Sequence, residues 1–174
     1  MHRVSKAIIC FIFITFISYT VVCSSIIVVT ATDINSEIVN LALTTADNSK
    51  KRADLQLIAM IKDAQSQLAA NNIKTADKVF LSGYSASAKF AQRFAIIHPD
   101  MVRALAAGGI AGTTVLPFVK YDGTSLRYPV GIFDFKELTG KEFVLETYKK
   151  VDQYLYMGGI DTNDATQFRD CFEE

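Results

Sequence analysis

The sequence predicts an α/β fold: a parallel sheet core with flanking helices, preceded by an N-terminal apolar helix. Three observations carry this expectation. From Asp54 onward, short apolar runs ending in glycine alternate with stretches of helical spacing. Their order is helix, strand, helix, strand, turn-rich insertion, helix, strand, which is the order of a parallel sheet with helices on its faces. And the run from Ala7 to Ala31 contains no charged residue.

Length and charge bound the rest. A chain of 174 residues suffices for one domain. Lysine and arginine number 18 and so do aspartate and glutamate. A balanced charge gives no reason to expect a nucleic-acid partner. The longest basic run, Lys50-Lys51-Arg52, reads as a solvated loop. Cys10, Cys23 and Cys171 form neither a disulfide framework nor a metal-ligand spacing, and no cofactor or metal is expected.

The N-terminal segment implies export. Residues 1–31 read as a signal peptide or a signal-anchor helix, and 32–52 as a linker with a short strand near Ile38–Leu43. At about 1.5 Å per residue, a helix over 7–31 would cross a hydrocarbon core of about 30 Å. Arg3 and Lys6 precede it, so the positive-inside tendency keeps the N-terminus in the cytoplasm and puts the rest outside. Three fates stay open. "VTATD" offers small residues for cleavage after Ala31. The unbroken apolar length favours a retained membrane anchor. Cys23 could carry a lipid, although Val22 stands where a small residue is wanted. The expected localisation is secreted or membrane-anchored, outside the cytoplasm.

Residues 53–174 form the expected globular part. Leu57, Ile61, Ala64 and Leu68 fall on one helical stripe, widened by Leu55 and Ile58. Asp54 can start that helix and Asn71-Asn72 can end it. "DKVFLSG" is a buried parallel strand. "ASAKFAQRFAIIHPD" is a helix with Phe90, Phe94 and Ile97 on one face, stopped by Pro99. "VRALAAGG" is a second strand closed by glycines. The stretch at about 110–150 is turn-rich, with a short strand expected at Val130–Phe133 and a short helix in "KEFVLETYKKV". "QYLYMGG" is a third strand.

Chemistry concentrates at Gly83-Tyr84-Ser85-Ala86-Ser87, between a strand and a helix. A sharp strand-to-helix turn forces its central serine into strained backbone angles, so residues two positions away must be small. The serine then stands at a helix N-terminus, which favours developing negative charge, and the N–H of Ala86 can donate to an oxyanion. The plain alternative is an ordinary turn serine.

In "DLQLIAMIKDAQ", "VFLSGYSASAKFAQRFAIIHPDMVRALAAGG", "YPVGIFDFKELTG" and "YMGGIDTNDAT", the chain resembles the α/β-hydrolase superfamily. The likeness is greatest to secreted or lipoprotein-like bacterial esterases related to polyester depolymerases and feruloyl or acetylxylan esterases. The resemblance implies a partial α/β-hydrolase fold and an acyl-serine mechanism on a small-molecule ester or acylated carbohydrate. It makes Ser85 the nucleophile and Ala86 an oxyanion donor. It makes Asp161, in Gly158-Gly159-Ile160-Asp161, the triad acid, with Asp164 the alternative. "DTND" is equally a good turn or helix cap. Residues 110–150 would be a cap-like insertion, with Phe118, Tyr121, Tyr128 and Phe133 as lining candidates.

The chain departs from the family pattern at its base. The family order is serine, acid, histidine. Thirteen residues follow Asp161, none of them histidine. His2 precedes the apolar run, and His98 ends the helix that starts at the elbow. That helix carries His98 roughly 18 Å away from Ser85 at 1.5 Å per residue. The leading strands of the family and its second oxyanion-donor loop also lack a counterpart. The expectation is therefore a chain truncated at both ends and inactive alone. It would be completed by a complementing chain, or else serve as a non-catalytic binding module.

Overall fold

The computed structural model describes residues 28–31, 52–110 and 114–161. A parallel sheet of four strands, in the order β1-β2-β3-β6, is its centre. The strands are β1 (Val28–Ala31), β2 (Val79–Tyr84), β3 (Val102–Gly108) and β6 (Asp152–Tyr156). Helix α1 (Ala53–Ala70) precedes β2, and α2 (Ala86–Ile97) joins β2 to β3. Between β3 and β6 come a hairpin, β4 (Lys120–Tyr121) with β5 (Thr124–Ser125), and the short helices α3 (Phe135–Thr139) and α4 (Leu145–Tyr148).

Two expectations change. The helix expected through Ala31 gives way at its C-terminal end, because Val28–Ala31 pair in parallel with Phe80–Gly83. β-Branched residues fill most of that stretch, and a ladder to a central strand satisfies their backbone. The remainder of the apolar run, with Cys10 and Cys23, lies outside the described residues, as do the strand expected at Ile38–Leu43 and Cys171. No helix among the described residues is long and apolar enough to cross a membrane. The strand expected at Val130–Phe133 is instead a run of turns: the amides of Val130 and Gly131 both donate to the Arg127 carbonyl, at 2.9 Å each. Pro129 and Gly131 break the extended pattern there.

The core explains the sequence stripes. On α1, Leu57 and Ile61 are buried and Ile58, Ala64 and Leu68 pack against them. Leu55 faces solvent instead, since it lies about 200° around the helix from Leu57. Helix α2 is buried almost all round, from Ser87 and Ala88 through Phe90 to Ile97. One side packs on β2 and β3. The buried cluster continues from α2 into Val115, Tyr128, Ile132, Phe135 and Tyr148 of the insertion. Gln92 pins that layer: its amide gives to and takes from the Val115 backbone, both at 3.2 Å. Phe94 is fully buried, worth about 1.5–3 kcal/mol of transfer free energy.

Candidate active site

The β2–α2 junction is the one place where the described chain combines a nucleophilic side chain with an unusual backbone. Ser85 has φ 56° and ψ −120°, a conformation that L-residues rarely occupy. Such angles cost about 1–3 kcal/mol and persist only where surrounding structure enforces them. The enforcing contacts can be named. The Ser85 amide donates to the Gly108 carbonyl at 2.8 Å, fixing the turn to β3. Its carbonyl accepts from Ala88 and Lys89 at 3.1 and 3.2 Å, opening α2. A Cβ on Gly83 would stand 2.4 Å from the Ser87 carbonyl oxygen, so the strand and helix approach closely only because residue 83 is glycine.

Ser87 does more than be small. Its Oγ accepts from the Tyr84 amide at 2.8 Å and donates to the Tyr84 carbonyl at 2.7 Å. The reciprocal pair clamps the turn around Ser85. Sequence reasoning used only the size of residue 87 and missed its hydroxyl, for which the second serine of the motif was the available signal. Ser85 itself makes no side-chain capping bond to α2, so its Oγ is not consumed by the helix end. Ala86 is the first residue of α2, where backbone N–H groups lack an intrahelical acceptor. That N–H and the positive helix end lie beside Ser85.

Asp161 follows β6 in a turn closed by its own amide, which donates to the Gly158 carbonyl at 3.1 Å. It is exposed. Because β2, β3 and β6 are parallel neighbours, Ser85 and Asp161 both leave the sheet at its C-terminal edge. The strands they follow, β2 and β6, are two apart in the sheet, about 10 Å at strand level. Asp164 lies outside the described residues. A cavity of about 230 Å³ opens at the same edge, lined by Ala107, Ile110, Thr114, Leu155, Tyr156 and Met157. Of the lining candidates from the insertion, Phe118, Tyr121 and Phe133 are exposed, and Tyr128 is buried with the Arg93 guanidinium 5.9 Å over its ring.

His98 is committed elsewhere. It is buried at the C-terminal end of α2, with Nε2 2.6 Å from Asp54 Oδ2 and Nδ1 3.1 Å from Lys141 Nζ. The ammonium donates to Nδ1, which leaves Nε2 to carry the ring hydrogen toward Asp54. Both ring nitrogens are thus occupied at the end of α2 opposite Ser85. Among the described residues, no group of histidine, cysteine and carboxylate side chains could hold a metal ion.

Comparison with known proteins gives little. No family model matches the chain, and no curated protein does. A solved structure described as the crystal structure of a thermostable esterase aligns over 60% of this chain and 28% of that one, at 16% identity and a TM-score of 0.29. This chain thus spans under a third of that esterase. So loose a superposition leaves any assignment to the geometry of the elbow itself.

Proposed function

We propose that the chain is a serine-hydrolase-type protein whose chemistry, acyl transfer from a carboxylic ester, runs through Ser85. The observation that carries this reading is the backbone of Ser85, held at φ 56° and ψ −120° between a parallel strand and a helix, with Oγ left out of the helix cap. Strain of that kind is stored where the exposed hydroxyl has a use.

The mechanism follows from the groups at that edge. Ser85 Oγ attacks the ester carbonyl carbon and passes its proton to a base. The Ala86 N–H donates to the oxyanion as it forms. The alcohol leaves with that proton, and water then releases the acid from the serine by the reverse sequence. Asp161 orients the base, a histidine lying outside residues 1–174. General-base assistance is worth typically 10²–10⁴-fold, so the chain alone turns over near background. The complementing chain pairs with the free backbone edge of β6, an outer strand of the described sheet, leaving the sheet faces open. Export through the N-terminal apolar run, cleaved or retained in the membrane, would put the site outside the cytoplasm.

A fluorophosphonate probe tests the nucleophile. The expected result is labelling of the folded chain, accelerated by added imidazole and absent in Ser85→Ala. No labelling of protein that unfolds cooperatively, even with imidazole standing in for the base, rejects it. The sequestration of His98 by Asp54 and Lys141 favours one second reading, a non-catalytic exported or membrane-anchored binding module built on the same sheet.

A further inference from the structure

Three tyrosines outside this chemistry line up beside it. Tyr84, Gly108 and Tyr156 occupy one rank across three parallel strands, so they share a sheet face. Tyr154, two residues before Tyr156, lies on the same face. The rings of Tyr154 and Tyr156 stack with centroids 5.5 Å apart and planes at 29°. Tyr156 and Tyr84 follow at 6.5 Å and 41°. All three stay open to solvent, with 63% of Tyr84, 68% of Tyr154 and 44% of Tyr156 exposed.

A glycine pair makes the floor. A Cβ on Gly108 would stand 2.2 Å from the Tyr156 ring, and one on Gly109, at φ 58°, would stand 2.8 Å from the Tyr84 ring. The rings therefore lie directly on the backbone of the β3 terminus, and a side chain there would push them off it. The glycines that seem only to end the strand in sequence serve two side chains from its neighbours.

The row also abuts the elbow. Tyr84 precedes Ser85 in the chain, and the Gly108 carbonyl that accepts the Ser85 amide belongs to the residue beneath Tyr156. Contiguous aromatic faces left in water beside a nucleophile are a binding surface for another flat ring, held by offset stacking. We propose that Tyr84, Tyr156 and Tyr154 form a ledge that stacks a planar aromatic ring of the ester. The phenol hydroxyls at its rim are available to polar ring substituents. The ledge deepens the hydrolase reading and rests on it for its catalytic meaning, while ring binding itself does not require Ser85 to react.

The experiment separates the two. Saturation-transfer NMR on the full chain would compare benzamide, an uncleaved aromatic probe, with cyclohexanecarboxamide and methyl β-glucopyranoside. Benzamide should bind more tightly than either, and Tyr154→Ser should weaken it about two- to tenfold, the range expected for one lost aromatic pair. Tyr154→Phe, which keeps the ring, should bind as the wild type does, and so should Ser85→Ala. Equal binding of benzamide by wild type and Tyr154→Ser, or preference for the pyranose, overturns the aromatic ledge. So does a Tyr154→Ser effect seen only in self-association. Loss of probe labelling at Ser85 with benzamide binding intact overturns the nucleophile and leaves the ledge standing.

Discussion

Asp54 Oδ2 lies 2.6 Å from His98 Nε2, and both side chains are essentially inaccessible to water. The contact joins the start of α1 to the end of α2, residues far apart in sequence. Arg52 adds two hydrogen bonds to the same carboxylate, from Nε at 2.9 Å and from Nη2 at 2.8 Å. Lys141 closes the chain of contacts from the other side of the imidazole. Burial alone would raise the carboxyl pKa of Asp54, but the hydrogen bonds from His98 and Arg52 outweigh it and hold the group well below the usual carboxylate range.

Asp54→Asn should therefore destabilise the chain by about 3 kcal/mol, the lower end of what breaking a buried pair costs. Urea unfolding at neutral pH measures it. Since the folded-state pKa lies below the unfolded one, the contribution of Asp54 is present in full above the unfolded value, about 4. It is lost as pH falls from there toward the folded-state value. The acid limb of the wild-type stability curve should be steeper than that of Asp54→Asn. Parallel limbs would mean that the carboxylate contributes nothing through its charge.

At the elbow, Gly83→Ala should cost about 1–3 kcal/mol, the usual range for overpacking. The added methyl meets the backbone of Ser87 and Ala88, which cannot swing aside. Ser87→Ala should cost about 1–2 kcal/mol through the lost pair of bonds to Tyr84. It should also slow labelling of Ser85, because the turn loses its clamp. Unchanged labelling would show that the glycine contact alone sets the serine.

Ser85→Gly should act in the opposite sense on stability. Glycine accepts positive φ freely, so removing the strain should stabilise the fold by about 1 kcal/mol, less the chain entropy that glycine adds to the unfolded state. Labelling should vanish in the same variant. A loss of stability comparable to that of a core substitution would place Ser85 among structural residues.

Much of the fold was legible because its signals are local. Leu57 and Ile61 at helical spacing, the apolar run from Val79 ending at Gly83, and Pro99 after α2 each act within a few residues of themselves. The elbow was legible for the same reason: a small residue two positions to either side of Ser85 is a condition imposed by one turn of backbone. Asp161 could be placed at the end of a strand, although what it faces depends on two intervening strands. Val28–Ala31 were read with the apolar run before them, since periodicity does not separate a buried strand from a buried or membrane helix over a short stretch.

What sequence alone determined, then, is the strand–turn–helix around Ser85 and the parallel α/β class, both products of hydrophobic period and local sterics. Tertiary structure decided which side chains meet. It drew His98 away to Asp54, gave the Ser87 hydroxyl a clamping role and used β1 as a sheet strand. It also laid Tyr84, Tyr156 and Tyr154 over Gly108 and Gly109. Those pairings come from strand order and register. A linear sequence does not fix these until the sheet assembles, because each parallel neighbour is reached only through a long crossover.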